Sequence, residues 1–378
     1  MATMSGKRKQ SRKGSRWIHL TDEEVLSIVV NLFCRGILVG QIVKHMVDFY
    51  GEVNFNREHP YKYLRRAAER GMLAFALSNG RDHGLERRIR ETGPGLNTVE
   101  VVNSAVASDV AEHVATVFIE WVRNKAVAGQ KQIRVGLMGG GTIMAVCRAL
   151  APALAGLAED EKKRWPRLTF QALVVGDNVR EPLEDPAAFF TYFADAALNP
   201  LRRNYVSLHA PVFKARQLGE HDLEAKEFEQ LRMEARSCDI VLISAGALGD
   251  KHSFLGALQS SAPDVWQRLR KANCRGDLGR LPVSPEAPMQ LDLFDHPPCT
   301  LVGLDDLQEM VRENRRVMLV AAPCGDCGAH KGDIIQTLLE LREKGYKLFS
   351  DLICDSQSSR SMPRLNTGAD RNGRAGRQ

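Results

Sequence analysis

The spacing of hydrophobic residues along the chain changes near residue 98. Before this point apolar residues recur every three or four positions, which predicts three short helices within residues 21–77. Thr21 followed by Glu24 is a capping-box pattern and predicts the start of the first helix, and Gly51 is expected to end the second. The residues expected to face inward are Val25, Ile28, Val29 and Leu32 in the first helix, and Ile42, Val43, Met46 and Val47 in the second.

The third predicted helix, in "HPYKYLRRAAER", combines an apolar face with a basic one. A short strand or wing is expected after it, in "MLAFAL". Three helices of which the last is basic fit a helix-turn-helix reader of DNA, although a solvated basic face would look the same. The residues expected inward are Tyr61, Leu64 and Ala68, and those displayed outward are Lys62, Arg65, Arg66 and Arg70.

After a connecting helix in "GLERRIRETG", strands and helices alternate. This alternation predicts an α/β domain with a mostly parallel, Rossmann-like sheet that is covered on both faces. Residues 275–300 are expected to form an irregular, Pro-rich loop. Strands are predicted in "VEVVNSA", "IRVGLMG", "LTFQALVVG", "DIVLISAG", "RVMLVAAP" and "KLFSDLI", and helices over residues 108–126 and in "TIMAVCRALAPAL", "DPAAFFTYFADAAL", "GLDDLQEMVREN" and "KGDIIQTLLELREKG".

Three consecutive glycines and Thr142 follow the strand "IRVGLM", at the sheet edge where open α/β sheets bind ligands. Backbone amides in such a turn, with the dipole of the following helix, can hold a phosphate. Thr142 can cap this helix and can also donate its hydroxyl to a phosphate oxygen. A tight turn without a ligand is the alternative. The turn is not a Walker A loop, since no Gly-Lys-Ser/Thr follows, and Ala145 and Val146 break the GxGxxG spacing.

The ends of other strands carry Gly176 with Asp177, the segment "AGALGD" and the segment "APCGDCGAHKGD". In the last segment Lys331 opens a helix and can reach a bound phosphate, or it is a solvated first-turn lysine. Cys324 and Cys327 form a single CxxC, which can be a redox pair, half of a zinc site or two ordinary loop thiols. Because a second pair with zinc spacing is missing, we assign no metal site and no cofactor from the sequence.

No pair of catalytic residues can be assigned, so we expect a protein that is not an enzyme. Acidic residues and histidines do lie near the candidate strand ends, but nothing in the sequence sets their mutual geometry. An isomerase would need one of these groups as a positioned base. The candidates are Asp177, Asp250, Asp277, His209, His252 and His330.

Charge is concentrated at the two ends of the 378-residue chain. Residues 1–16 carry six Lys/Arg and no acid, and residues 361–378 carry a net +3, so the formal +6 of the whole chain leaves −3 for the remainder. Basic ends fit contact with nucleic acid, or are simply solvated. No apolar run reaches the ~18 residues of a membrane span. Without a secretory signal, the eight cysteines are expected to be reduced thiols in the cytoplasm.

The order of these motifs resembles the SorC family of bacterial transcriptional regulators, in which a helix-turn-helix precedes a sugar-binding domain. The resemblance spans residues 20–355, although the loop "AAPCGDCGAH" is longer than the family's "AGG". It implies an effector domain similar to sugar-phosphate isomerase and CoA-transferase folds, with a phosphorylated-sugar pocket that is used for sensing. By resemblance, the phosphate-binding turn is Gly140, Gly141 and Thr142, the glycine after the next strand is Gly176, a sugar-hydroxyl contact is Asp277 and a phosphate contact is Lys331.

The sequence therefore predicts a cytoplasmic regulator that binds an operator in double-stranded DNA and senses a phosphorylated sugar, as a homodimer or homotetramer and without a membrane partner. The alternatives are an isomerase-like enzyme with a basic appendage, and a redox or zinc sensor that works through Cys324 and Cys327. The expected domains are a basic arm (1–16), a winged helix-turn-helix (17–80), a linker helix (81–97), the α/β effector domain (98–357) and a tail (358–378).

Overall fold

Two compact units, Met1–Ser78 and Asn79–Gln378, make up the chain. None of the helices within the described residues is long and apolar enough to cross a membrane. The computed structural model describes residues 20–34, 37, 39–51, 54–70, 72, 80–174, 185–207, 223–289 and 300–363.

The first unit contains three helices, α1 (Asp22–Cys34), α2 (Val39–Tyr50) and α3 (Glu58–Glu69). The capping box is confirmed, because the Thr21 amide donates to Glu24 Oε2 at 2.7 Å and the Glu24 amide donates to Thr21 Oγ1 at 3.3 Å. Gly51 follows α2 with a φ of +74°, a conformation that glycine adopts without strain. The buried core of this unit consists of Val25, Val29, Ile42, Met46, Phe55 and Leu64.

The inward face of α3 differs from the predicted one. Leu64 and Ala67 are buried, whereas the Tyr61 side chain is 61% exposed. Pro60, Leu64 and Ala67 follow a spacing of four and three residues, so they form one stripe of the helix, and Tyr61 lies one position off that stripe. The predicted strand or wing in "MLAFAL" falls almost entirely outside the described residues.

The described part of the second unit forms a nine-stranded sheet, with the order β1-β9-β8-β5-β2-β3-β4 and a hairpin of β6 and β7 attached to β5. All pairs along the main path are parallel, and the hairpin is antiparallel. The predicted fold class is thus confirmed. The strands are β1 (Thr98–Val102), β2 (Gln132–Leu137), β3 (Arg167–Ala172), β4 (Arg203–Val206), β5 (Ile240–Ala247), β6 (Gly276–Leu278), β7 (Leu281–Val283), β8 (Arg316–Ala321) and β9 (Asp351–Asp355).

Successive residues of the central strands belong to two different cores. On β5, Leu242 lies in one core and Val241 and Ile243 lie in the other, as the two-residue period of a strand requires. The first face carries α5 (Ala107–Val127) and α6 (Gly141–Ala155). The second face carries α4 (His83–Thr92), α9 (Leu223–Arg236), α12 (Leu304–Arg312) and α13 (Gly332–Glu343). The other helices of the second unit among the described residues are α7 (Glu159–Arg164), α8 (Pro186–Phe189), α10 (Phe254–Ser261), α11 (Pro263–Lys271) and α14 (Ser356–Arg360).

Two sequence predictions about local structure are wrong. The single helix expected in "DPAAFFTYFADAAL" is three short pieces, α8 and the 3-10 turns Phe190–Phe193 and Ala196–Leu198. Asp185 and Asp195 each accept the backbone amide two residues ahead, at 2.8 Å, which restarts the chain instead of continuing one helix. Residues 275–300, expected to be irregular, contain the β6–β7 hairpin. The sequence reasoning also missed β4, α7, α9, α10, α11 and α14.

The helix predicted as a connector, α4, packs into the core of the second unit through Leu85 and Ile89. Its Glu86 is buried and accepts from Arg81 Nε at 2.7 Å, from the Val101 amide at 3.1 Å and from the His83 ring at 2.9 Å. Burial by itself would raise the pKa of Glu86, but these hydrogen bonds and the Arg81 charge lower it to about 2. Glu86 therefore ties α4 to β1 as a carboxylate.

A Glu86→Gln variant should lose stability by about 1–3 kcal/mol at pH 7, because it removes charge-assisted hydrogen bonds from a buried site. The pKa of Glu86 is lower in the folded chain than its ordinary 4.5, so its contribution is complete above pH 4.5 and is lost as the pH falls towards about 2. Unfolding by denaturant at several pH values measures this. The control is Glu159→Gln, at an exposed position. If the free energy of unfolding of Glu86→Gln and of the parent chain depended on pH in the same way, the stabilising role of the Glu86 carboxylate would be contradicted.

Candidate functional site

The chain leaves the neighbouring strands β2 and β5 in opposite directions. After β2 it enters α6 on the first face and returns as β3, whereas from β5 it continues to α12 on the second face and returns as β8. This reversal is a topological switch point, and open α/β sheets bind ligands in the crevice outside such a point. The glycine turn follows β2 there, and Ser244 to Ala247 form the end of β5.

Gly140 has a φ of +103° and a ψ of 159°, a region that is essentially restricted to glycine. It is the N-cap of α6, and its carbonyl accepts the Met144 amide at 3.0 Å. The first amides of α6 have no partner inside the helix and carry its positive dipole end, which suits an anion. Thr142 is the second residue of α6, so its expected capping role is wrong. Thr142 is half-buried, and no hydrogen bond to its hydroxyl is formed by the described residues.

Substituting Gly140 tests the turn directly. Gly140→Ala should lower the free energy of unfolding by about 1–3 kcal/mol, because an alanine must adopt the positive φ. Crowding does not contribute, since a Cβ there would be 3.7 Å from Ser244 Oγ, an ordinary contact. Gly80→Ala, with open space and no positive φ, is the control. Denaturant titration measures both, and equal stabilities would exclude the strained turn.

Ser244 was missed by the sequence reasoning. Its half-buried side chain lies beside Gly140, at the end of the otherwise apolar strand β5. A single hydroxyl residue in "DIVLISAG" is the sequence signal that could have found it. Because β2 and β5 are adjacent in the sheet, this hydroxyl extends the polar surface of the glycine turn.

The β6–β7 hairpin brings Asp277 to the same strand end. Asp277 is buried, it pairs with Gly246 of β5, and its Oδ1 accepts the Arg280 amide at 2.9 Å. A Cβ at Gly246 would lie 2.4 Å from Asp277 Oδ2, so this approach requires glycine. The Gly279 amide donates to the Ser244 carbonyl at 2.9 Å, which anchors the hairpin turn beside the crevice.

Arg280 is a second residue that the sequence reasoning did not select. It is 7% exposed, its φ is +73°, and its guanidinium lies over the Phe254 ring at 5.7 Å from the centroid. A buried guanidinium in the turn of the hairpin adds a cation next to Asp277. The family resemblance covers this segment, "RGDLGRLPV", but only Asp277 was carried over from it.

Lys331 immediately precedes α13, in the connection that follows β8, and it is buried. Its Nζ donates to Asp250 Oδ2 at 2.7 Å, and its amide donates to Ser358 Oγ at 2.9 Å. Burial by itself would raise the pKa of Asp250, but the Lys331 ammonium lowers it below its ordinary value. The alternative of a solvated first-turn lysine is therefore wrong. Since β2 and β8 flank β5, the glycine turn and Lys331 follow strands on opposite sides of the same central strand.

The predicted DNA contacts on and after α3 fall into two groups. Lys62 and Arg65 are exposed. Arg66 instead pairs with Asp22 and Glu23 at the start of α1, and Arg70 reaches Glu23 Oε2 at 2.7 Å. These ion pairs connect α3 to α1, so a DNA phosphate would have to compete with carboxylates for Arg66 and Arg70.

The comparisons with solved structures agree with this architecture. The full-length sorbitol operon regulator SorC from Klebsiella pneumoniae aligns over 89% of this chain and 97% of its own, with a TM-score of 0.55 and 14% identity. A transcriptional regulator from Streptococcus pneumoniae TIGR4 aligns over 75% and 97%, with a TM-score of 0.54 and 13% identity. The chain has the SorC fold. Neither a protein-family profile nor a curated protein sequence matches it.

The resemblance that the motifs suggested is thereby confirmed at the level of the fold. A domain of a possible sugar-binding transcriptional regulator from Arthrobacter aurescens TC1 also aligns with this chain, over 76% of this chain and 99% of that domain, with a TM-score of 0.50 and 16% identity. The three neighbours named here are all regulators.

Three of the candidate site residues selected from the sequence lie outside the described residues, namely Gly176, Asp177 and His209. His330 is exposed, and the His252 ring lies 3.4 Å from Asp326 Oδ2. The groups that the structure brings to the end of β5 are therefore the glycine turn with Thr142, the hairpin with Asp277, and the Asp250–Lys331 pair.

Proposed function

We propose that this protein is a cytoplasmic, DNA-binding transcriptional regulator whose α/β unit binds a phosphorylated sugar. The observation that carries the proposal is the glycine turn at the switch point of a SorC fold, with a strained Gly140 and the open amides of α6 beside it. An anion there would receive backbone hydrogen bonds and the positive end of the helix dipole.

Of the remaining residues of the proposed pocket, some would bind the phosphate and others the sugar hydroxyls. Thr142 and Ser244 can donate hydroxyls to phosphate oxygens. A lysine ammonium has three donors, of which Asp250 takes one, so Lys331 can still donate to a phosphate without leaving its partner. Asp277 can accept from sugar hydroxyls, as carboxylates do. Gly176, by resemblance, would add a backbone contact.

Sensing, and not turnover, fits the chemistry of the two carboxylates. Asp250 is held as a carboxylate by Lys331, and Asp277 accepts the Arg280 amide. An isomerase would need a base that is free to take a substrate proton and is oriented towards it. These contacts support a role for both acids in building the pocket.

The DNA-binding unit is proposed to act through the exposed face of α3, with Lys62 and Arg65 as primary phosphate contacts and Arg66 and Arg70 as further contacts. Residues 7–16 would add a basic arm. Such contacts position a helix on the duplex, and base edges are read by neighbouring side chains. A homodimer or homotetramer is proposed by resemblance, and the effector would act by binding one conformation or oligomer better than another.

Selection of bound fragments from random double-stranded DNA tests this function. We expect enrichment of a repeated half-site, and a change of its affinity by one or more members of a panel of triose, pentose and hexose phosphates. The unphosphorylated sugars serve as controls. Failure to enrich any sequence would refute the DNA-binding role, and equal responses to sugars with and without phosphate would refute the assigned pocket.

A further inference from the structure

The segment "CGDCG", residues 324–328, forms a tight turn that presents both of its thiols. The Gly328 amide donates to the Cys324 carbonyl at 2.9 Å, and the Cys324 amide donates to the Ala329 carbonyl at 2.9 Å. Gly328 has a φ of +70°, which favours glycine at this position.

A buried carboxylate from another strand connection completes this turn. Cys327 Sγ lies 3.6 Å from Asp250 Oδ1, and the two sulfurs and one carboxylate oxygen all lie within 4.8 Å of one another. Asp250 is 3% exposed, and its other oxygen is bound to Lys331. The three potential ligand atoms thus come from two separate loops, and one side of the cluster, at Cys327, is open to solvent.

We propose that Cys324, Cys327 and Asp250 bind a thiophilic divalent cation with the coordination chemistry of zinc. Two thiolates exclude magnesium and calcium, which prefer oxygen ligands, and zinc accepts sulfur together with a carboxylate. Its fourth position would face solvent and take water. Each thiol releases its proton to solvent on binding, so the two positive charges of the cation are balanced by two thiolates and the net charge of the cluster does not change.

A thiol–disulfide switch fits the same cysteines less well. Reactive cysteines lie in electropositive surroundings that favour the thiolate nucleophile. Here a carboxylate oxygen of Asp250 lies 3.6 Å from Cys327 Sγ. A negative group beside two sulfurs attracts a cation, whereas it opposes a free thiolate.

The site has a consequence for the effector pocket, which rests on the proposed function. The loop that starts at Cys324 ends at Lys331, and Asp250 would be shared between the cation and the Lys331 ammonium. Because binding leaves the local charge unchanged, the cation would act by fixing the loop and so by holding Lys331 in place. We therefore expect the zinc-loaded protein to bind its phosphorylated effector more tightly than the protein treated with a chelator.

Cobalt(II) titration of the full-length, reduced and chelator-treated protein tests the site, with zinc as competitor. We expect one cobalt per chain with a thiolate-to-cobalt charge-transfer absorption that zinc removes. Cys324→Ser and Cys327→Ser should each abolish this band. Each should also weaken zinc binding by more than about 100-fold, because loss of a group that only hydrogen-bonds to a metal ligand already costs about 10- to 100-fold in affinity. Cys274→Ala, which removes a buried thiol elsewhere, should leave the band unchanged.

The variants separate failure of the metal site from failure of the effector pocket. Lys331→Met keeps all three ligands and should keep the cobalt band even where effector binding is lost. Cys324→Ser should bind the effector like the chelator-treated parent, and zinc should no longer change that affinity. Absence of the band in the folded, reduced parent chain, or an undiminished band in both cysteine variants, would overturn the metal site whatever the effector experiments show.

Discussion

Lys331→Met is expected to abolish the thermal shift that the matching sugar phosphate gives to the parent protein. It should also lower the free energy of unfolding by about 3–5 kcal/mol, because the carboxylate of Asp250 is left buried without its counter-charge. Differential scanning fluorimetry with and without ligand measures the first effect, and denaturant unfolding at neutral pH measures the second.

A second variant separates the two effects. Replacing both partners, in Lys331→Met with Asp250→Asn, removes the uncompensated charge, so most of the lost stability should return. The ligand-induced shift should not return, because the phosphate contact is still missing. Lys344→Met, at the exposed far end of α13, is the matched control and should keep both stability and shift. A normal ligand shift in the stable double variant would show that Lys331 is not a phosphate contact.

The double variant Lys62→Ala with Arg65→Ala should weaken operator binding by about 100-fold. Each substitution removes one charge-assisted hydrogen bond to a phosphate, which contributes about 1.5 kcal/mol of binding free energy. The dependence of log affinity on log salt should become shallower by about 2, since about one counterion is released per phosphate contact. Both side chains are exposed on α3, so the fold of the first unit should not change. Fluorescence anisotropy across a salt series measures affinity and slope together.

Two comparisons make this result specific. Lys163→Ala with Arg164→Ala removes the same charge from exposed positions on α7 and should leave the salt slope unchanged. Arg66→Ala should lower the thermal stability of the first unit, because it breaks the pairs with Asp22 and Glu23. An unchanged slope in the Lys62 and Arg65 double variant would place the DNA-binding surface elsewhere.

Features that depend on neighbours in the chain were predictable. The capping box at Thr21 joins residues three apart, and the glycine turn needs only a strand, its glycines and the helix that follows. The six predicted strands are all present, because apolar β-branched runs fit a sheet buried on both faces. The last of them is shorter than expected, since "KLFS" precedes the strand Asp351–Asp355 instead of belonging to it.

The alternation of strands and helices, the SorC-like order of motifs and the turn suited to phosphate were thus predictable from the sequence. Which polar groups meet was visible only in the folded chain. Asp250 and Lys331 are 81 residues apart, and Asp22 and Arg66 are 44 apart. The partner of a charged side chain depends on which loops lie side by side, and that depends on the order of the strands in the sheet. The periodicity of hydrophobic residues and the spacing of motifs along the chain do not reveal this order. For this reason the sequence did not predict that Lys331 and the CxxC segment share a neighbour, whereas the fold places Asp250 against both.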